Sequence, residues 1–208
     1  MTIRRFCFLL LTALLPVSIA PVLPAQTSVA ASVYGAFGGA TSGNGTAQSP
    51  SNAAGGLIEL RHISNPLVGY EASYSFNRAN QHYEANYSCP AAGSTCPAPL
   101  PITVPANAHQ IALNWVVSAH VMNIRPFALA GVGVLLDEVS GSPSGSSSTV
   151  KPVYIYGAGV DWGLLPHIGL RLQYRGNLYK APDLAGAFSS TDRFAHTGQP
   201  MIGAYFRF

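Results

Sequence analysis

Charge is scarce in this chain of 208 residues: 9% are Asp, Glu, Lys or Arg, against roughly 25% in an ordinary soluble domain. That excludes the densely charged surface of a typical soluble protein. Disorder is excluded too, because a chain that is 48% hydrophobic is not the apolar-poor, charge-rich kind that fails to collapse. Cations are equally few. The formal net charge is +3, and Arg4 and Arg5 lie in a segment read below as removable, which leaves +1. No electrostatic footprint for nucleic acid remains. Long apolar runs are missing as well: beyond the first segment no stretch of about 18 apolar residues is available for a transmembrane helix.

The first segment reads as an address. Met1 to Arg5 is short and basic, Phe6 to Leu15 is apolar except for Thr12, and Pro16 and Pro21 precede Leu23-Pro24-Ala25. This is the three-part layout of a secretory signal cut after Ala25, with Ala30 or Ala31 as second choices. The apolar part is shorter than the about 20 residues that cross a bilayer as a helix. Residues 1–25 are therefore assigned to the signal and 26–208 to one mature domain.

Of three cysteines, Cys7 leaves with the signal. Cys89 and Cys96 remain as an even pair in Cys-Pro-Ala-Ala-Gly-Ser-Thr-Cys. In an oxidising compartment they are expected to form a disulfide, restricting the unfolded chain by roughly 2.5 kcal/mol. Zinc binding is the alternative, but two thiols without clustered histidines make a poor site.

What the mature chain does have is period-two alternation. Eight segments show it: residues 31–39, 56–63, 68–76, 109–121, 125–136, 153–162, 167–179 and 199–208. In the second, Ile58 and Leu60 oppose Glu59 and Arg61; in the seventh, Leu170, Leu172 and Tyr174 oppose Arg171, Gln173 and Arg175. An even number of strands suits a closed antiparallel barrel. Short connections (64–67, 122–124 and 163–166) alternate with long polar ones (40–55, 77–108, 137–152 and 180–198). Tight turns at one end and long loops at the other is the topology of an outer-membrane barrel.

The charges fit that reading. Lys151, Lys180, Glu84, Asp137, Glu138, Asp183 and Asp192 fall in the long connections. Glu59, Arg61, Glu71, Asp161, Arg171, Arg175 and Arg207 project from the less apolar strand face. An arginine facing lipid near the midplane costs roughly 2–4 kcal/mol, so that face must be the interior. Three acids and four arginines there predict a paired charge network filling a narrow lumen. Trp115, Trp162, Tyr154, Tyr179, Phe206 and Phe208 are expected in interfacial girdles.

With these strands and loops, and an ending Ile202-Gly203-Ala204-Tyr205-Phe206-Arg207-Phe208, the chain resembles the small eight-stranded outer-membrane proteins of the OmpA transmembrane domain, OmpX and OmpW type. The resemblance runs over residues 27–208. It implies an all-β, eight-stranded antiparallel transmembrane barrel in the outer membrane of a Gram-negative-type bacterium, exported by the general secretory route. It also implies contact with outer-membrane lipids and lipopolysaccharide. Tyr205, Phe206 and Phe208 resemble the terminal signal read by the barrel-assembly machinery, to which periplasmic chaperones deliver such chains. Activity does not follow, because related barrels serve as structural proteins, adhesins, small-solute pores and lipid-modifying enzymes.

No catalytic, cofactor or metal site is expected. Ser118-Ala119-His120 is the nearest Ser–His pairing, with both side chains on one strand face, but it is the reverse of the His-x-Ser order of the deacylase barrels and sits at the short-turn end. His62, His82, His109, His167 and His196 show no ligand spacing. Gly35-Ala36-Phe37-Gly38-Gly39 lacks the lysine and following helix of a phosphate loop. The aromatic and basic run Tyr174–Asp183 either contacts anionic headgroups or is a strand entering its girdle. The leading expectation is a non-enzymatic envelope or surface-interaction protein, its loop partner open. The alternatives are a narrow solute pore, a secreted lipocalin-like carrier with apolar faces inward, and a lipid-modifying enzyme.

Overall fold

The structure is a computed structural model that describes residues 26–65, 67–86, 100–141 and 145–208. The cysteine pair and the signal segment lie outside these residues. Ten strands are present: β1 (Gln26–Gly38), β2 (Thr41–Gly43), β3 (Thr46–Pro50), β4 (Ala53–Ile63), β5 (Val68–Ala85), β6 (Ile102–Ser118), β7 (Ile124–Val139), β8 (Thr149–Gly163), β9 (Ile168–Lys180) and β10 (Phe194–Arg207). There is no helix among the described residues.

Eight of these strands close on themselves. Neighbours pair antiparallel from β4 through to β10, and β1 completes the circle by pairing with both β4 and β10. Closure leaves no edge for water to satisfy, which is what a sheet in hydrocarbon requires. The faces sort as the charge cost demands. Leu113 and Leu172 on the outside are 66% and 56% exposed, while Glu59 and Arg171 on the inside are at 0%. A lipocalin-like carrier needs the opposite assignment, so the soluble alternative is excluded.

The outer ends of the strands depart from expectation. Residues 40–55 are not a plain loop: Asn44 (φ 51°) and Gly45 (φ 75°) form the two-residue left-handed turn of the β2–β3 hairpin. β3 then pairs with the upper part of β5. β5 runs on to Ala85 and meets β6 from Ile102, so both ends of the supposed 77–108 loop are sheet. Glu84, Asp137, Glu138, Lys151 and Lys180 therefore stand on strands, and only Asp183 and Asp192 are in a loop. The physical reason is simple. Above the bilayer neither strand face needs to be apolar, so alternation fades while backbone pairing continues.

At the other end, β6 stops at Ser118, short of the expected Val121, which instead bridges to Ile124 across the turn. Asn65 shapes another tight turn, its Oδ1 accepting from the Val68 and Leu67 amides at 2.8 and 3.1 Å. Near the long-loop end Tyr74 and Phe76 flank His109, and Tyr156 is hydrogen-bonded to His196 at 2.9 Å. Near the turn end Trp115, Trp162, Phe206 and Phe208 lie outward. Such aromatic bands mark the two interfaces. Tyr179 does not join them: it points inward, its hydroxyl bonded to Thr197 at 2.9 Å.

Candidate functional site

The lumen is filled by a ring of six charges. Arg61 and Glu71 are register partners across β4–β5, as are Asp161 and Arg171 across β8–β9. Period-two spacing then puts Glu59 beside Arg61 on β4, and Arg175 two inward positions beyond Arg171 on β9. The side chains meet across the lumen. Arg171 clamps Asp161 with Nε and Nη2 at 2.7 and 2.8 Å, and its Nη1 donates to Glu59 at 2.8 Å. Arg175 donates to Glu59 at 2.5 Å and also to Glu71. Arg61 donates to Glu71 at 2.9 and 2.5 Å and reaches Asp161 at 3.4 Å.

Followed round, the order is Glu59, Arg171, Asp161, Arg61, Glu71, Arg175 and back to Glu59. Signs alternate at every step, and three positive charges meet three negative ones. Every member is at least 93% buried. Buried ions persist only when paired and hydrogen-bonded, and neighbours add further contacts. Asn114 Nδ2 donates to Glu71 at 3.0 Å, Arg175 donates to Ser73 at 3.1 Å, and the Arg61 guanidinium lies 4.0 Å from the Phe127 ring centre. Phe127 belongs to an apolar cluster with Val116, Leu129 and Ile155 that fills the β6–β8 side of the lumen.

Arg207, placed with these residues by its strand face, is elsewhere. It lies at the turn end, donating to the Pro166 carbonyl at 2.9 Å. Tyr205 is inward and 8% exposed, whereas Phe206 and Phe208 are outward. The Ser118–His120 pairing does not exist as a shared face: Ser118 is buried at the end of β6, and His120 is exposed beyond it. A pairing that sequence reasoning missed is Arg125 with Gln26 Oε1, 2.9 Å apart. Parity with Phe127 and Leu129 would have shown Arg125 to be inward. Among the described residues, no group of three or more His, Cys, Asp or Glu could hold a metal.

The ring separates two mouths. The turn-end mouth holds a cavity of about 340 Å³. Toward the loop end a pocket of about 40 Å³ lies between Asn77, Gln81, Asp137, Asn177 and Gln199. Above it, the loop of residues 181–193 folds down over the barrel. Leu184 is fully buried against Tyr83, Val104 and Ala106. The Tyr83 hydroxyl donates to the Pro182 carbonyl at 2.7 Å and accepts from the Leu184 amide at 3.1 Å. Lys151 and Asp183 add an ion pair at 3.5 Å. Lys180 donates to Asp192 at 2.7 Å, and this hydrogen bond holds the Asp192 carboxyl below its ordinary range. Both groups are exposed, so the pair contributes little stability.

A closed eight-stranded wall, apolar outside and ionic within, defines an integral outer-membrane barrel. Residues 9–204 match the outer membrane protein beta-barrel domain family, and the chain belongs to it. No curated protein matches the chain. Among solved structures, OprG of Pseudomonas aeruginosa is similar at 9% identity and TM-score 0.60, with 88% of this chain and 96% of that one covered. Neisserial surface protein A is similar at 15% identity and TM-score 0.57, covering 89% and 100%. Ail, the attachment invasion locus protein of Yersinia pestis, solved with the heparin analogue sucrose octasulfate, shares 17% identity at TM-score 0.53, again covering 89% and 100%. At these identities the likeness is one of fold.

Proposed function

We propose that this protein is a non-enzymatic, non-conducting barrel that serves the envelope by presenting a folded outer rim at the cell surface. One observation carries the reading: the ring of six charges crosses the lumen, and its charges are balanced by its own members. A pore needs mobile, hydrated polar groups along its bore, whereas these guanidiniums are each fixed by at least two carboxylate or side-chain oxygens. The rim is built rather than loose, from the β2–β3 hairpin, the extended β5–β6 pair and the anchored 181–193 loop. Export by the secretory route and insertion by the barrel-assembly machinery, through Tyr205, Phe206 and Phe208, belong to the same reading.

The chemistry of the rim bears on its partner. Arg78, Lys151, Lys180 and Arg193 are set among Glu84, Glu138, Asp183 and Asp192, while Asp137 is buried below them. Mixed charge with no basic excess does not suit a densely sulfated sugar such as the sucrose octasulfate solved with Ail. It suits a partner recognised through neutral hydrogen bonds, such as the outward Asn80 and the hydrogen-bonded His82–Thr103 pair offer. Planar-bilayer recording tests the lumen: the wild-type barrel is expected to pass no steady current. Sustained conductance in correctly folded protein would overturn the reading and favour the pore.

A further inference from the structure

The charge ring has a corollary at the opposite end of the barrel. All eight acidic side chains of the protein lie within the described residues. Three are in the ring and five stand at the loop end. No acidic side chain is left for the turn-end mouth except Asp161, which Arg171 clamps and Arg61 reaches from the ring side. Two arginines nevertheless point into that mouth. Arg125 and Arg207 both line the 340 Å³ cavity, beside His120 and the edge of Arg61.

Among the described residues neither Arg125 nor Arg207 lies within salt-bridge distance of a carboxylate. Each makes one hydrogen bond to a neutral oxygen, Arg125 to Gln26 Oε1 and Arg207 to Pro166 O, at 2.9 Å in both cases. A guanidinium offers five N–H donors in a planar fork matched to carboxylate or phosphate. Most of the ten are therefore free, at the wall of a concave space large enough for a small anion. The cavity is bounded by inward-facing strand residues and by the turns at 122–124 and 163–166, so it opens at the turn end of the barrel.

We infer that the periplasmic mouth is a binding site for a small oxyanion, held between Arg125 and Arg207. Phosphate is the simplest ligand of this chemistry, arriving free or as an exposed headgroup. The ring supplies the selectivity: its three positive and three negative charges balance, so the two guanidiniums without a carboxylate partner dominate the local field. His120 sits at the rim, where it can donate to the same anion.

The test uses the folded, full mature chain, ¹⁵N-labelled, in zwitterionic micelles. Inorganic phosphate is titrated while the Arg Nε–H resonances are followed. Saturable shifts are expected at Arg125 and Arg207, with the buried ring arginines unmoved. Removing one charge-assisted partner should weaken binding roughly tenfold or more, so Arg125→Gln and Arg207→Gln are each expected to show that loss. Arg193→Gln, on the outer loop, should not. Phosphatidylglycerol mixed into the micelles separates the two sources: competition with inorganic phosphate indicates that a headgroup can enter, and its absence a site for free anion. Heat-modifiable mobility on gels verifies that each variant is folded. Shifts that fail to saturate, or an unchanged affinity in the folded double variant, would overturn the proposal.

Discussion

Glu71 is the member of the ring on which most bonds converge, which makes Glu71→Gln a sharp test. One oxygen accepts from both Nε and Nη2 of Arg61; the other accepts from Arg175 and from Asn114. Glutamine has nearly the same shape but carries one oxygen and one NH₂. Whichever way the amide turns, its NH₂ faces a guanidinium, and three arginines are then left with two acids in a water-poor lumen. Breaking a buried ion pair on one side costs about 3–5 kcal/mol. With a urea slope of roughly 2–3 kcal/mol/M, the unfolding midpoint in lipid vesicles should fall by about 1–2 M. Glu138→Gln is the control: its carboxylate side chain is 60% exposed and 4.0 Å from His109, so its loss should cost at most about 1 kcal/mol. Adding Arg175→Gln to Glu71→Gln restores neutrality, and the double variant should lose less than the sum of the singles. If Glu71→Gln unfolds within about 1 kcal/mol of wild type, the charges are not the closed circuit described above.

Three further outcomes are expected. Leu172→Arg puts a guanidinium on the lipid face of β9 and should destabilise by roughly 2–4 kcal/mol in vesicles; a neutral result would mean that this face does not meet hydrocarbon. Tyr83→Phe removes the hydroxyl that joins Pro182 to Leu184, stranding a buried amide at a local cost of about 1–3 kcal/mol. Protease should then cut the 181–193 loop faster on intact cells while the barrel's unfolding midpoint hardly moves; an unchanged cutting rate would show that the loop is held by something else. Cys89 and Cys96 should be unreactive to maleimide until reduced, and labelling of the native exported protein without reductant would rule out the disulfide.

The eight barrel strands were legible because lipid outside and ions inside enforce strict alternation. Glu59–Arg61 against Ile58–Leu60 is unmistakable, and so is Arg171–Arg175 against Leu170–Tyr174. Alternation reports which face a residue occupies but says nothing about its height. That is why Arg207 shared a face with the ring yet sits at the mouth: its partner on β1 is Ser28, only two residues from the strand's start. Which acid meets which arginine was beyond reach for the same reason, since the cross-lumen contacts depend on how the strands tilt and stagger on closing. The outer extensions of β5 and β6 were hidden because Arg78, Asn80 and His82 need no apolar partner. The β2–β3 hairpin, read as part of a plain loop, was missed although Asn44-Gly45 is the strongest short hairpin signal a sequence carries.

The first and last strands contribute nothing to the ring, although they form the seam where the cylinder joins. Glu59, Arg61 and Glu71 come from β4 and β5, and carry a net charge of minus one; Asp161, Arg171 and Arg175 come from β8 and β9, and carry plus one. β1 and β10 lie between the two trios on one side, β6 and β7 on the other. An unfinished sheet thus holds opposite electrical halves apart, each short of a partner. Joining the chain's two ends cancels both deficits in a single event, so the same ions that block the bore also reward completion of the wall.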